Sequence, residues 1–197
     1  MPKRLIYRAS NQKEALRQGE ILTGVMQFRP VPDESSPQMG NMQFKPISHP
    51  YAIIVSQDCD LDWDYAARQN NDKPYKLLNS VMFCEVYTAQ DIRFNKENKI
   101  NSSEWNLVKS NRHKQYHFLE KVPSDCELSQ EGLPELTADF KKAFAIDAGF
   151  VYYQINNNIA KRRSILECRY LEDFSHRYHA YQGRVALPEQ HKSEKGG

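Results

Sequence analysis

The stretch Pro50-Tyr51-Ala52-Ile53-Ile54-Val55-Ser56-Gln57-Asp58-Cys59-Asp60-Leu61-Asp62 decides the fold. Its first half is a continuous apolar run rich in β-branched side chains. Bounded by a proline and by polar residues, such a run reads as a buried strand. The chain then turns acidic, with Asp58, Asp60, Asp62 and Asp64 alternating with Cys59, Leu61 and Trp63. A buried strand that runs out into polar residues places them at the rim of the fold, where sites are built.

Upstream, Asn11 to Gln18 reads as a short helix. Asn11 caps it, Glu14 stands at the third position and Gly19 stops it. Glu20 to Val25 reads as the first strand. Residues 27–48 hold four prolines, Pro30, Pro32, Pro37 and Pro46, without periodicity, and read as a long loop. Downstream, residues 64–78 are polar and helical or irregular. Asn79 to Thr88 is a strand. A helical piece around Ser103 to Ser110 has Ser103 as its cap. Strands are expected over Lys114 to Val122, over Glu135 to Ala145 with helix as the competing reading, and over Gly149 to Ile155. Tyr170, Phe174, Tyr178, Tyr181 and Val185 recur every three or four residues, one face of an amphipathic helix over 165–186. Leu187-Pro188 ends the ordered part, and 189–197 is expected to be a disordered tail.

These elements predict one domain over 1–188, mainly β with helices (α+β). The architecture expected is a small twisted β-barrel with helical insertions, closed by the C-terminal amphipathic helix. A length of 197 residues suits one such domain. The net charge of +2 is too small to imply nucleic-acid binding by itself, so local basic patches matter. No apolar run reaches the roughly 18 residues of a membrane span, and no membrane partner is expected. Met-Pro-Lys-Arg-Leu-Ile-Tyr lacks an apolar signal region, and Cys59, Cys84, Cys126 and Cys168 form no C-x-x-C. A cytoplasmic protein with reduced thiols is the expectation.

The order Gly19-Glu20-Ile21, a loop rich in Pro, Ser and Gly, Pro50 leading into Ala52-Ile53-Ile54-Val55-Ser56, and a later strand ending in Tyr87-Thr88 resembles the PemK/MazF family of toxin endoribonucleases. The likeness covers about the first 90 residues, with 19–90 as the barrel core. It implies an SH3-like barrel and cleavage of RNA without a metal or other cofactor. The family uses an Arg before that Pro and a Ser or Thr at the end of the later strand. Here His49 stands before Pro50 and Thr88 matches the later position. The resemblance therefore implies a catalytic set of His49, Thr88 and Ser56, with Arg29 or Arg112 in place of the missing arginine. His49 suits general acid or base work, because an ordinary imidazole titrates near pH 6.5. Either an active endoribonuclease or a descendant that binds RNA or DNA fits. A non-catalytic subunit of a bacterial defence or toxin–antitoxin complex, binding a protein partner, is the alternative.

The residue types themselves single out further candidates. Ser56, Asp58, Cys59 and Asp60 at a strand end would border the main concave site; Asp58, Cys59 and Asp60 would touch nucleic acid or a partner, Cys59 with Asp58 or Asp60 could hold a metal, or else Asp58 and Asp60 cap turns while Cys59 packs inward. A calcium loop is rejected because Trp63 and Gln69 occupy the positions of its Gly and Glu. Zinc held by Cys59, Cys84, His113 and His117 lacks any close ligand pair. Arg112, His113 and Lys114, with His117 and the run Lys161-Arg162-Arg163, are basic clusters interleaved with Tyr116, Phe118 and Tyr170. That mixture suits a single-stranded nucleic acid.

Overall fold

The structure is a computed structural model describing residues 5–31, 43–95, 97–98 and 100–184. Its strands are β1 (Tyr7–Ala9), β2 (Glu20–Val31), β3 (Gln43–Ile54), β4 (Ser80–Thr88), β5 (Tyr116–Leu119), β6 (Leu136–Asp147) and β7 (Lys161–Leu166). Its helices are α1 (Asp58–Asn70), α2 (Ala89–Phe94), α3 (Ser102–Lys109), α4 (Ala148–Asn156) and α5 (Cys168–Gln182). Among the described residues the strands form one antiparallel sheet in the order β1-β7-β2-β3-β4-β6-β5. The expected closed barrel is corrected here: β1 and β5 remain unpaired edges, so the sheet is open. The edges still draw together, since the Tyr7 hydroxyl donates to the Glu120 carbonyl, 2.9 Å away, just past β5.

Both faces of the sheet are covered, and alternation along each strand divides the apolar residues between them. Ile21, Ile53, Cys84, Val86 and Phe140 face one core with Phe174, Tyr178 and Tyr181 of α5. Leu22, Ala52, Ile54, Val81 and Phe83 face a second core with Leu61 of α1 and Val151 and Ile155 of α4. The stripe foreseen for the last helix is thus its buried face; Val185 and residues 187–197 lie outside the described residues. A smaller cluster joins Ala89, Ile92, Trp105 and Val108 to Tyr116.

Several elements differ from expectation for identifiable reasons. Residues 11–18 form turns, not a helix, because Arg162 takes the carbonyls of Glu14 and Ala15. The loop expected over 27–48 is largely ladder. Gln27 faces Ile47, Arg29 faces Lys45 and Val31 faces Gln43, while residues 32–42 lie outside the described set. Among the described residues this outer ribbon has no third strand beside it, so Pro30 and Pro46 cost it no further sheet partner there. Gly149 to Ile155 is helical: the Asp147 carboxylate accepts the Phe150 amide at 2.8 Å, and Val151 and Ile155 face inward one turn apart. The cap of α3 is Asn101, in a reciprocal box with Glu104, rather than Ser103. The acidic run begins α1 instead of ending a strand in a loop.

One residue redirects the central ribbon. Thr23 pairs with Tyr51, which packs on the first core. Two residues on, Val25 pairs with His49, yet Val25 belongs to the second core and His49 stacks on Phe144 beside it. Positions two apart on a regular strand share a face. The switch occurs at Gly24, whose φ is +71°. A Cβ there would lie 2.8 Å from the Ile159 carbonyl oxygen. Gly24→Ala is therefore expected to lower stability by at least about 1–2 kcal/mol, the cost of a left-handed alanine alone. Urea unfolding with an unchanged midpoint would show that the left-handed turn is not required.

Candidate functional site

The switch at Gly24 brings His49 beneath a cavity of about 490 Å3 lined by Gln27, Arg29, Glu85, Lys142, Ala143 and Phe144. Its other half comes from a bulge. Cys84 faces Ala143 but the next residue, Glu85, faces Asp139, so Phe140, Lys141 and Lys142 stand out of the β4–β6 ladder. Phe140 anchors the bulge in the first core, and Lys142 is carried over Glu85. Bulges of this kind re-aim side chains beside sites.

The polar groups form one network. The Tyr87 hydroxyl donates to the Glu85 carboxylate, and the Lys142 ammonium donates to the Tyr87 oxygen at 2.7 Å. Lys142 Nζ lies 3.6 Å from Glu85 Oε2, and His49 Nδ1 lies 3.5 Å from Glu85 Oε1. His49 Nε2 is 3.3 Å from Gln27 Oε1, and its ring stacks on Phe144 with centroids 4.0 Å apart. Burial holds the His49 pKa below the ordinary value; Glu85 opposes this and Arg29 adds to it. The imidazole is thus neutral at pH 7. Burial and the bond to Glu85 push Tyr87 up to about 12, so it stays protonated. The bond to Tyr87 raises the Lys142 pKa and keeps its charge. Arg29 is exposed and has no ionic partner among the described residues. A carboxylate, two cations and a phenol thus converge over a neutral imidazole.

The other sequence candidates fall elsewhere. Thr88 caps α2: its hydroxyl accepts the Asp91 amide and donates to the Asp91 carboxylate. The Ser56 hydroxyl accepts the Met82 amide at 2.8 Å, tying β3 to β4. Asp58 accepts the Gln18 amide, Asp62 binds Arg17, and buried Asp64 holds Arg68 and the Leu78 amide. Cys59 is exposed on α1, where its thiol meets Gln57 and Asp60. None of Ser56, Asp58, Cys59 and Asp60 lines a hollow of about 730 Å3 between α1, α4 and residues 12–16, though Asp60 lines a smaller one of about 360 Å3 with Trp63 and Lys76. The two arginines of the larger hollow, Arg68 and Arg162, are already neutralised by Asp64 and Glu20. No group of three His, Cys, Asp or Glu side chains among the described residues could hold a metal.

The basic clusters divide into two kinds. Arg162 and Arg163 are buried in β7, an unforeseen strand, and pair with Glu20 and with Glu127 and Glu131. Arg112, His113 and Lys114 instead line a groove of about 400 Å3 against α5, together with His176, Arg177 and Arg184. His117 lies beneath it, and its Nδ1 accepts from Arg177 Nη1 at 2.6 Å. Sequence reasoning passed over Glu85, Tyr87 and Lys142. The available signal was a lone carboxylate inside the apolar run Val81-Met82-Phe83-Cys84-Glu85-Val86.

Burial, aided by Arg177, pushes the His117 pKa down to about 3. The unfolded chain therefore takes up this proton near pH 6.5 while the folded chain does not. Stability is then fully present above pH 6.5 and falls as pH drops toward 3. Between pH 6.5 and 5 the loss approaches about 1.4 kcal/mol per pH unit for this histidine. His117→Gln keeps an acceptor for Arg177 without titrating, and is expected to flatten urea-unfolding stability across this window by about one proton. An equal slope in both proteins would mean that His117 is not held neutral.

No protein-family model, curated protein or solved structure matches this chain.

Proposed function

We propose that the protein is an RNA-directed enzyme of the PemK/MazF kind, cleaving RNA without a metal in the cavity over His49. The observation that carries this reading is the convergence of Glu85, Arg29 and Lys142 on one small cavity, with Tyr87 bonded to both Glu85 and Lys142. Transfer of an RNA phosphate to its own 2′-oxygen needs a base for the 2′-hydroxyl and positive charge for the phosphorane-like transition state. Glu85 takes the 2′-hydroxyl proton as the P–O2′ bond forms and the P–O5′ bond breaks, and the same proton passes from its carboxyl to the leaving 5′-oxygen. Arg29 and Lys142 supply the charge, and Arg29 takes the part of the arginine that the family places before the proline. His49, buried and neutral, acts as a positioning residue that holds the carboxylate from below. The element order around Gly19-Glu20-Ile21 and Pro50 supports an SH3-like ancestry, here with the sheet left open. A second reading, a docking subunit, is favoured by Phe28 and Phe44, both exposed on the β2–β3 ribbon.

Purified protein incubated with RNA in chelator tests the enzymatic reading. Glu85→Gln is expected to lower kcat/KM by about 10²–10⁴-fold, the usual worth of a general base. Lys142→Ala is expected to lower kcat, and Thr88→Ala to leave turnover per folded molecule unchanged. Cleavage by Glu85→Gln at the wild-type rate, or no cleavage by the wild type, would overturn the assignment.

A further inference from the structure

We infer that the groove between the 112–114 turn and α5 holds the phosphate backbone of single-stranded RNA flanking the scissile bond; this rests on the ribonuclease reading above. The first ground is unneutralised charge. Arg112 and Lys114 are exposed and make no side-chain hydrogen bond or ion pair among the described residues. Arg184 stands over the Tyr181 ring, 3.4 Å from its centroid, without a carboxylate among those residues.

The second ground is Arg177, the groove's half-buried base. Its guanidinium donates to the His113 and Tyr116 carbonyls at 2.5 and 3.0 Å, to Asn111 Oδ1 at 3.2 Å and to neutral His117. None of these acceptors carries charge, and the exposed Asp173 carboxylate acts on the guanidinium only through space. Among the described residues the buried arginines, Arg162 and Arg163, each have a carboxylate. A cation set in protein and bonded only to neutral groups projects its field into the adjoining groove.

The third ground is position. Gln115, next to Lys114, donates to Asp139 at 2.9 Å, and Asp139 faces Glu85 across the β4–β6 ladder. On the other wall Gln182 of α5 donates to the Phe140 carbonyl at 3.0 Å. The groove and the Glu85 cavity are therefore fixed to the same bulge of β6. One strand lying across residues 139–142 would meet the base at one end and the row of cations at the other. A cationic track of this kind is how single strands are held irrespective of sequence.

The test is anisotropy of a fluorescent oligonucleotide, 2′-O-methylated throughout so that it cannot be cleaved, titrated at several salt concentrations. Arg112→Ala/Lys114→Ala/Arg184→Ala is compared with the wild type. Each phosphate contact to a single strand contributes about 0.7 to the slope of log affinity against log salt, so the triple variant should lose about 2. It should raise KM for long RNA. An unchanged slope overturns the groove assignment even if the wild type cleaves RNA. A groove-dependent slope without any cleavage upholds the groove and removes the ribonuclease reading. Polyglutamate displacing the probe as well as unlabelled RNA of equal charge would overturn the assignment in favour of an acidic protein segment.

Discussion

A left-handed backbone at Gly24 governs where the polar chemistry of this protein lies. On its inner side β3 is sandwiched, with Ile53 in one core and Ala52 and Ile54 in the other. If alternation continued unbroken, His49 would share the face of Tyr51. Gly24 turns the ribbon over, and His49 lands beside Phe144 and Glu85 instead. The bulge at Phe140, Lys141 and Lys142 completes the arrangement from the opposite strand. Two local departures from regular pairing thus aim four polar side chains at one point. Both are held by packing, Gly24 against the Ile159 carbonyl and Phe140 in the first core. Sites mounted on such rigid elements keep their geometry.

Charge is handled differently in different parts of the molecule. Where arginine is structural it meets carboxylate: Arg162 with Glu20, Arg163 with Glu127, Arg68 with Asp64. Removing one partner of such a buried pair would leave an uncompensated charge. Around the cavity and the α5 groove the balance shifts. Arg29, Arg112 and Lys114 lack ionic partners among the described residues, and Arg177 is bonded to neutral groups. The acidic run of α1 is the counterpart. Its carboxylates look like a site in the sequence, yet three of them bind parts of the fold itself, at Gln18, Arg17 and Leu78.

The legibility of the sequence follows the range of the interactions involved. Apolar runs such as Ala52–Val55 and Val81–Val86, and the aromatic stripe of α5, depend on local periodicity and could be read directly. β7 could not, because Lys161-Arg162-Arg163 is polar until Glu20, 142 positions away, is placed against Arg162. The fold partners of the acidic run were not legible for the same reason, since they lie up to 45 positions away. Of the residues around the candidate cavity, His49 and Arg29 could be singled out from residue type and position. Glu85 and Lys142 were not, because their meeting depends on a three-residue shift of register that no local pattern announces.

The central claim is that Glu85 and its two cations drive attack by the RNA's own 2′-hydroxyl. The ends of the products report this most directly. RNA cut by the wild-type protein in chelator is predicted to carry 2′,3′-cyclic phosphate at the new terminus, read by phosphorus NMR, and a single 2′-deoxy substitution at the cut site should abolish cleavage there. New 3′-hydroxyl and 5′-phosphate ends, or cleavage that continues at the 2′-deoxy site, would contradict the account.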